Sequence, residues 1–152
     1  VAGITDSQVV RQFGNSSVGD RLTLKLGAEL DETGKSVKID AILKGKGIIG
    51  RKGNMRGTHF VRIGVKGVEV IVTDRRYSFT APETIEAAGV NITEYNIIVV
   101  KLGYIFPDLR KIAKRSIMAL TTGSSCLAID TFHFHNITRP MFPLDKDFDW
   151  EP

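Results

Sequence analysis

The chain has 152 residues, of which 42% are hydrophobic and 25% are charged, with a formal net charge of +4. No apolar stretch approaches the ~20 residues of a membrane-spanning helix, and a single cysteine excludes an internal disulfide framework. The mildly basic charge permits an anionic partner but does not require one. We therefore expect one domain over residues 1–152, located in the cytoplasm, with no membrane contact.

The first half of the chain predicts short helices and antiparallel β-hairpins. Asp6 or Thr5 can cap a first helix, and the pattern of Thr80 and Glu83 predicts a capping box for a second helix that ends at Gly89. Alternation of apolar and polar residues with period two predicts four strands, at residues 21–26, 37–44, 58–66 and 68–74.

The stretch over residues 95–120 predicts a βαβ unit. Residues 97–102 form a nearly continuous apolar, β-branched run, which is typical of a strand covered on both faces. Pro107 can open a helix, and residues 117–120 form a second apolar run beyond it. With the hairpins before it and an extended, proline-containing tail after it, this unit predicts a mixed α/β or α+β fold.

The glycine-rich, basic segment 44–57 is a candidate anion site. Its backbone N–H groups could cradle phosphate, or its lysines and arginines could hold nucleic acid. It matches neither the P-loop nor the dinucleotide pattern, and only Phe60 supplies an aromatic ring nearby. We interpret it as a solvated connection between strands, so nucleic acid is not the expected partner.

His133 and His135 are the candidate metal ligands, since two imidazoles two residues apart share one face of a strand. Asp130 and Cys126 lie upstream and could complete a set. Two phenylalanines alternate with the histidines, however, and an amphipathic surface segment explains the pattern equally well. Cys126 follows a Gly-Ser-Ser run, where a nucleophile could lie, but no partner is indicated by spacing. We expect no catalytic residue and no metal ligand in this chain.

Lys101 and Tyr104 are the predicted substrate-binding residues. In open α/β sheets, ligands collect beyond the carboxyl ends of parallel strands. Both residues would lie there, beside the helix that begins at Pro107. A lysine at the end of an apolar strand either reaches solvent or meets an anion.

Five motifs occur in a recognisable order along the chain. They are Gly-Asp-x-Leu-Thr-Leu-x-Leu-Gly (19–27), Gly-Val-x-Val-x-Val-Thr-x-Arg (67–75), a Thr-x-Pro helix that ends at Gly89, Ile-Val-Val-Lys (98–101) and Arg-Pro-x-x-Pro-Leu-Asp (139–145). In this order they resemble the C-terminal domain of the microcystinase C (MlrC) family of zinc metallopeptidases. The resemblance covers most of the chain.

The resemblance implies an accessory role. Full-length members of this family are considerably longer, and a preceding α/β domain holds the zinc and the catalytic residues. This chain would then contain no cofactor, would pack on the catalytic domain of the same protein, and would supply contacts at the substrate rim. The remaining alternatives are a stand-alone anion- or nucleic-acid-binding module that uses residues 44–57, and a structural domain that forms homo-oligomers.

One departure from the family pattern leaves the substrate open. Many relatives carry Lys-Ser-x-x-His-Phe-Arg after the Val-Val-Lys strand. Here Ile105 occupies the histidine position and Pro107 the arginine position. Any substrate contact that depends on that histidine is therefore missing from this chain.

Overall fold

The computed structural model describes residues 1–30, 34–50, 57–121 and 127–149. The chain forms two units, Val1–Ser116 and Ile117–Pro152, which are described separately. No helix in the described ranges is long and apolar enough to cross a membrane.

A mixed five-stranded sheet forms the centre of the first unit. Its spatial order is β1-β5-β4-β3-β2, with β1 parallel to β5 and all other neighbours antiparallel. The strands are β1 (Ala2–Thr5), β2 (Arg21–Leu26), β3 (Val37–Ile49), β4 (Thr58–Val65) and β5 (Val68–Thr73). This sheet, together with a few short helices, confirms the prediction of an α+β fold.

In the described part of the chain, three short α-helices accompany the sheet: α1 (Ser7–Gln12), α2 (Pro82–Glu86) and α3 (Pro107–Ile112). Asp6 caps α1, because its Oδ1 accepts a hydrogen bond from the Val9 N–H at 3.0 Å. The capping box predicted for α2 is wrong. Ala81 is the N-cap and Pro82 occupies the first turn, so Thr80 lies one residue too early for its side chain to cap.

Successive residues of a strand point to opposite faces of the sheet. Each face of this sheet carries a cluster of buried apolar side chains. On one face, Val9 and Phe13 of the α1 region join a cluster with Leu43, Ile63 and Val72 of the strands. A second cluster consists of Ala2, Ile49, Phe60, Ile71, Phe79, Ile85, Ala88, Val90 and Leu109. The sheet is therefore the middle layer of the unit.

Residues 97–102 were predicted to be a strand, and this prediction is wrong. The segment makes only one isolated parallel bridge, between Val100 and Ala2. Two hydrogen bonds hold it there, from Ala2 N–H to Val99 C=O (2.8 Å) and from Lys101 N–H to Ala2 C=O (3.0 Å). The pairing stops at Gly3, whose φ is +99° and which coincides with a register shift in β1.

The predicted βαβ unit is consequently absent from the described residues. The helix at Pro107–Ile112 is present, but residues 117–120 are exposed and form no strand. Instead, β1 occupies the parallel position beside β5. The N-terminal segment thus supplies the parallel strand that the sequence pattern assigned to the second half of the chain.

The second unit has little regular structure among its described residues, apart from a 3₁₀ turn at Ile129–Thr131. Its Arg-Pro-x-x-Pro-Leu-Asp motif forms a closed turn. The Arg139 guanidinium forms an ion pair with the Asp145 carboxylate, which also accepts a hydrogen bond from the Met141 N–H at 2.7 Å. The first and last residues of the motif are therefore direct partners.

Candidate functional site

Lys101 and Tyr104 lie on the loop between the Val100 bridge and α3, and both are exposed. The Lys101 backbone is fixed by its hydrogen bond to Ala2, so the side chain begins from a defined position. The Tyr104 ring stacks on Phe106, with 4.8 Å between the ring centroids, and Tyr104 remains 63% exposed. The loop thus presents one cation and one aromatic face to solvent.

The start of helix α3, beside this loop, does not favour an anion. Asp108 lies in the first turn and carries the same sign of charge as an anionic ligand. Its carboxylate is 3.0 Å from the Lys111 ammonium. Any anion bound by Lys101 would therefore depend on the lysine itself rather than on the helix dipole.

The basic segment 44–57 is partly strand rather than loop. Strand β3 continues to Ile49, so residues 45–49 pair with β4, after a register shift at Lys44. The Lys46 ammonium donates hydrogen bonds to the carbonyls of Gly14 (2.6 Å) and Ser16 (2.8 Å), which ties β3 to the end of the α1 region. Residues 51–56 lie outside the described part of the chain. Lys46 thus has a structural role that the sequence did not indicate.

His133 and His135 lie in the second unit and are both exposed. The flanking rings of Phe132 and Phe134 contact each other edge to face, at a centroid distance of 5.9 Å. Within the described ranges, no group of three or more His, Cys, Asp or Glu side chains could hold a metal ion. Cys126 lies outside the described residues.

A polar cluster lies at the open end of the β4–β5 hairpin, and the sequence analysis did not predict it. The Asp74 carboxylate accepts hydrogen bonds from the Thr58 hydroxyl (2.6 Å) and the His59 backbone N–H (3.1 Å), and its Oδ2 is 2.9 Å from His59 Nδ1. Burial raises the pKa of Asp74, but these hydrogen bonds and the nearby Arg75 charge outweigh it and lower the pKa. No sequence motif indicates this cluster, because its residues come together only when β4 pairs with β5.

A second polar cluster lies across β3, β4 and β5. Arg62 forms an ion pair with Glu69 at 3.0 Å and also donates a hydrogen bond to the Lys44 carbonyl at 3.2 Å. Burial, followed by a hydrogen bond with Glu69, raises the pKa of Tyr95. Tyr95 packs against the second apolar cluster, and it lines the same small cavity as Glu69.

A small, mostly apolar cavity lies beside this cluster. Val1, Glu69, Ile71, Tyr95 and Ile97 are among the residues that line it. Its volume of about 30 Å³ admits one or two water molecules and no peptide side chain. The cavity is therefore not a substrate pocket.

Three exposed aliphatic residues, Val1, Ile97 and Ile98, line this cavity, and Val99 follows Ile98 in the chain. We call these four residues the edge surface. All four side chains are exposed, and Ile97 is the most exposed at 78%. Apolar side chains grouped in this way suit contact with protein better than contact with a small polar ligand.

Comparison with known proteins places this architecture in a family. The sequence profile for the MlrC C-terminus matches residues 1–136. Among solved structures, the crystal structure of a putative metallopeptidase from Mesorhizobium sp. BNC1 is similar, with a TM-score of 0.76 and 22% sequence identity. The similarity covers 99% of this chain and 32% of that chain, so this chain spans about a third of that protein's length.

No curated protein matches the sequence. The structural similarity shows a shared fold, and the profile covers most of the sequence, from Val1 through Asn136. The chain therefore belongs to the MlrC C-terminus family.

Proposed function

We propose that this chain is the accessory C-terminal domain of a larger MlrC-type peptidase or amidohydrolase. The observation that carries the proposal is the extent of the two matches. The family profile for an MlrC C-terminus covers residues 1–136, and the chain matches 32% of a protein described as a metallopeptidase. Catalysis would then belong to the remaining part of such a protein, which precedes this domain.

In this proposal the zinc ion lies in the preceding catalytic domain. The described residues of this chain offer no cluster of His, Cys, Asp or Glu that fits a metal ion. We therefore derive no catalytic step from this chain. A cytoplasmic location belongs to the same proposal, and its support is the single cysteine.

Lys101 and Tyr104 are the proposed rim contacts to substrate. The Lys101 ammonium can pair with a substrate carboxylate, and the exposed face of Tyr104 can contact an apolar side chain. These contacts would bind the ground state and the transition state alike. Losing them should therefore raise KM and leave kcat nearly unchanged.

The first test measures the metal content and hydrolytic activity of the isolated chain. We expect substoichiometric zinc after purification and no cleavage of peptide substrates, because no described cluster binds metal. One tightly held zinc ion per molecule, with peptide hydrolysis by the isolated chain, would refute the accessory role.

The second test uses the full-length protein that carries this chain. We expect Lys101→Ala to raise KM by about tenfold, as for the loss of one charge-assisted contact. Tyr104→Phe should have little effect, because the stacked ring is retained. Lys111→Ala is the matched control, since this exposed lysine pairs with Asp108. Equal KM values for the Lys101 and Lys111 variants would remove Lys101 from the substrate rim.

A further inference from the structure

Strand β2 lies at one edge of the sheet, and its outer side is open. It ends the order β1-β5-β4-β3-β2, and among the described strands it pairs with β3 alone. The Leu43 N–H donates to the Asp20 C=O at 2.9 Å, which fixes where hydrogen-bonded and non-hydrogen-bonded pairs alternate along the two strands. The N–H and C=O groups of Arg21, Thr23 and Lys25 therefore point away from β3.

The side chains along this open edge differ between the two faces of the sheet. Arg21 and Lys25 are exposed on one face. The leucines of β2 point to the opposite face, where Leu24 is buried and Leu22 and Leu26 are partly buried in the apolar cluster that α1 helps to form. A strand added to this edge would therefore meet cations on one face and aliphatic side chains on the other.

The cationic face of β2 continues onto β3. Lys25 lies directly opposite Lys38, in a pair of the non-hydrogen-bonded type, in which the two side chains are closest. Like charges placed directly opposite each other are destabilising. One carboxylate lies among them, that of Asp40, and it accepts a hydrogen bond from the Thr23 hydroxyl. Arg21, Lys25 and Lys38 thus outnumber it, and added negative charge would reduce their repulsion.

Charge decides which polypeptide suits the open edge. Two copies of β2 paired antiparallel about Thr23 would place Arg21 opposite Lys25 of the second copy. Such like-charge pairs disfavour self-pairing, as charged side chains on edge strands generally do. A strand with an acidic side chain at each of these two positions would form opposite-charge pairs instead. Nucleic acid would also meet the cations, but it has no aliphatic side chains to cover Leu22.

We propose that the open edge of β2 binds an extended polypeptide segment in which acidic and apolar residues alternate. The backbone of the segment pairs with Arg21, Thr23 and Lys25 and extends the sheet, a known mode of peptide recognition. Two acidic side chains, four residues apart, meet Arg21 and Lys25. The apolar side chains between them lie on the other face and cover Leu22. This binding activity is separate from the accessory function proposed above.

The test measures binding of a labelled peptide to the complete 152-residue chain by fluorescence anisotropy. The peptide is Gly-Glu-Val-Thr-Val-Glu-Gly with blocked ends. We expect saturable binding that weakens as the NaCl concentration rises. Lys25→Glu should weaken binding by about tenfold, because an opposite-charge pair becomes a like-charge pair. Arg21→Glu combined with Lys25→Glu should reverse the preference, so that a peptide with lysine in place of both glutamates binds more tightly.

Arg76→Glu is the matched control. Arg76 is exposed in the segment that follows β5, and its replacement changes the net charge by the same amount as Lys25→Glu. Its affinity for the acidic peptide should be unchanged. Circular dichroism checks that each variant is folded, as expected for substitutions of exposed side chains.

Amide hydrogen exchange, followed by NMR, separates strand addition from simple charge attraction. In the saturated complex, the amides of Arg21, Thr23 and Lys25 should exchange more slowly than in the free chain. The amides of Leu22 and Leu24 should change little, because they already donate to β3.

The other outcomes overturn the proposal. Equal losses of affinity in Lys25→Glu and Arg76→Glu would show that binding follows net charge alone. Unchanged exchange at Thr23 in the saturated complex would exclude strand addition. Tighter binding of a single-stranded DNA oligonucleotide, lost in Lys25→Glu, would make nucleic acid the occupant of this edge.

Discussion

Asp6→Ala should destabilise the first unit by about 2 to 4 kcal/mol. The Asp6 side chain is only 4% exposed and accepts two backbone hydrogen bonds, from Val9 N–H (3.0 Å) and from Gly27 N–H (2.9 Å). The first is a helix cap, worth about 1 kcal/mol. The second is a hydrogen bond to a charged group, worth about 1.5 to 3 kcal/mol. Burial prevents water from replacing either bond.

Urea unfolding, followed by circular dichroism, measures this loss as a lower midpoint. Asp6→Asn should lower the free energy of unfolding by about 1.5 to 3 kcal/mol, because it keeps one acceptor oxygen for the cap and loses the acceptor for the Gly27 N–H. Asp108→Ala is the matched control. It lies in the first turn of α3, its ion pair with Lys111 is exposed, and it should cost less than about 0.5 kcal/mol. Equal losses for Asp6→Ala and Asp108→Ala would refute the reasoning.

Three further predictions concern the sheet and its edges. In urea unfolding, Gly3→Ala should lower the free energy of unfolding by about 1 kcal/mol more than Gly19→Ala. Both glycines have positive φ, but only at Gly3 would the new Cβ contact the Lys101 side chain, at 3.1 Å, so equal losses would contradict an effect of that contact. Asp74 has a lowered pKa, so the stability it contributes is present above about pH 4 and is lost as the pH falls through the lower folded-state pKa. Asp74→Asn should therefore flatten the acid side of the stability–pH curve, and an unchanged curve would argue against this. Lys46→Met should lower the free energy of unfolding by about 1 kcal/mol, because it removes the hydrogen bonds to the Gly14 and Ser16 carbonyls. An unchanged unfolding midpoint would show that these hydrogen bonds do not stabilise the protein.

The predicted substrate residues illustrate the limit of reasoning from strand ends. The sequence places Lys101 at a substrate rim because its pattern predicts a parallel strand over residues 97–102. The structure keeps Lys101 near the end of a parallel contact, but that contact is a single bridge to Ala2. The local pattern identified the apolar segment correctly. It did not show that β1, from the other end of the unit, already occupies the position beside β5.

The sequence by itself determined the local elements of this protein. Period-two alternation located strands β2 to β5, and Asp6 and Pro107 marked the starts of α1 and α3. The ordered motifs indicated the family that the profile match established. These features depend on neighbouring residues, so they can be read along the chain.

Only the tertiary structure decided how distant residues meet. Gly3 ends the pairing with residues 97–102, and Asp74 meets His59 across the β4–β5 pair. Such contacts join residues far apart in sequence, and the local pattern is the same whether or not they form. For that reason the apolar run at residues 97–102, which the sequence pattern predicts to be a buried strand, is exposed at Ile97, Ile98 and Val99, and only Val100 and Leu102 pack against the core.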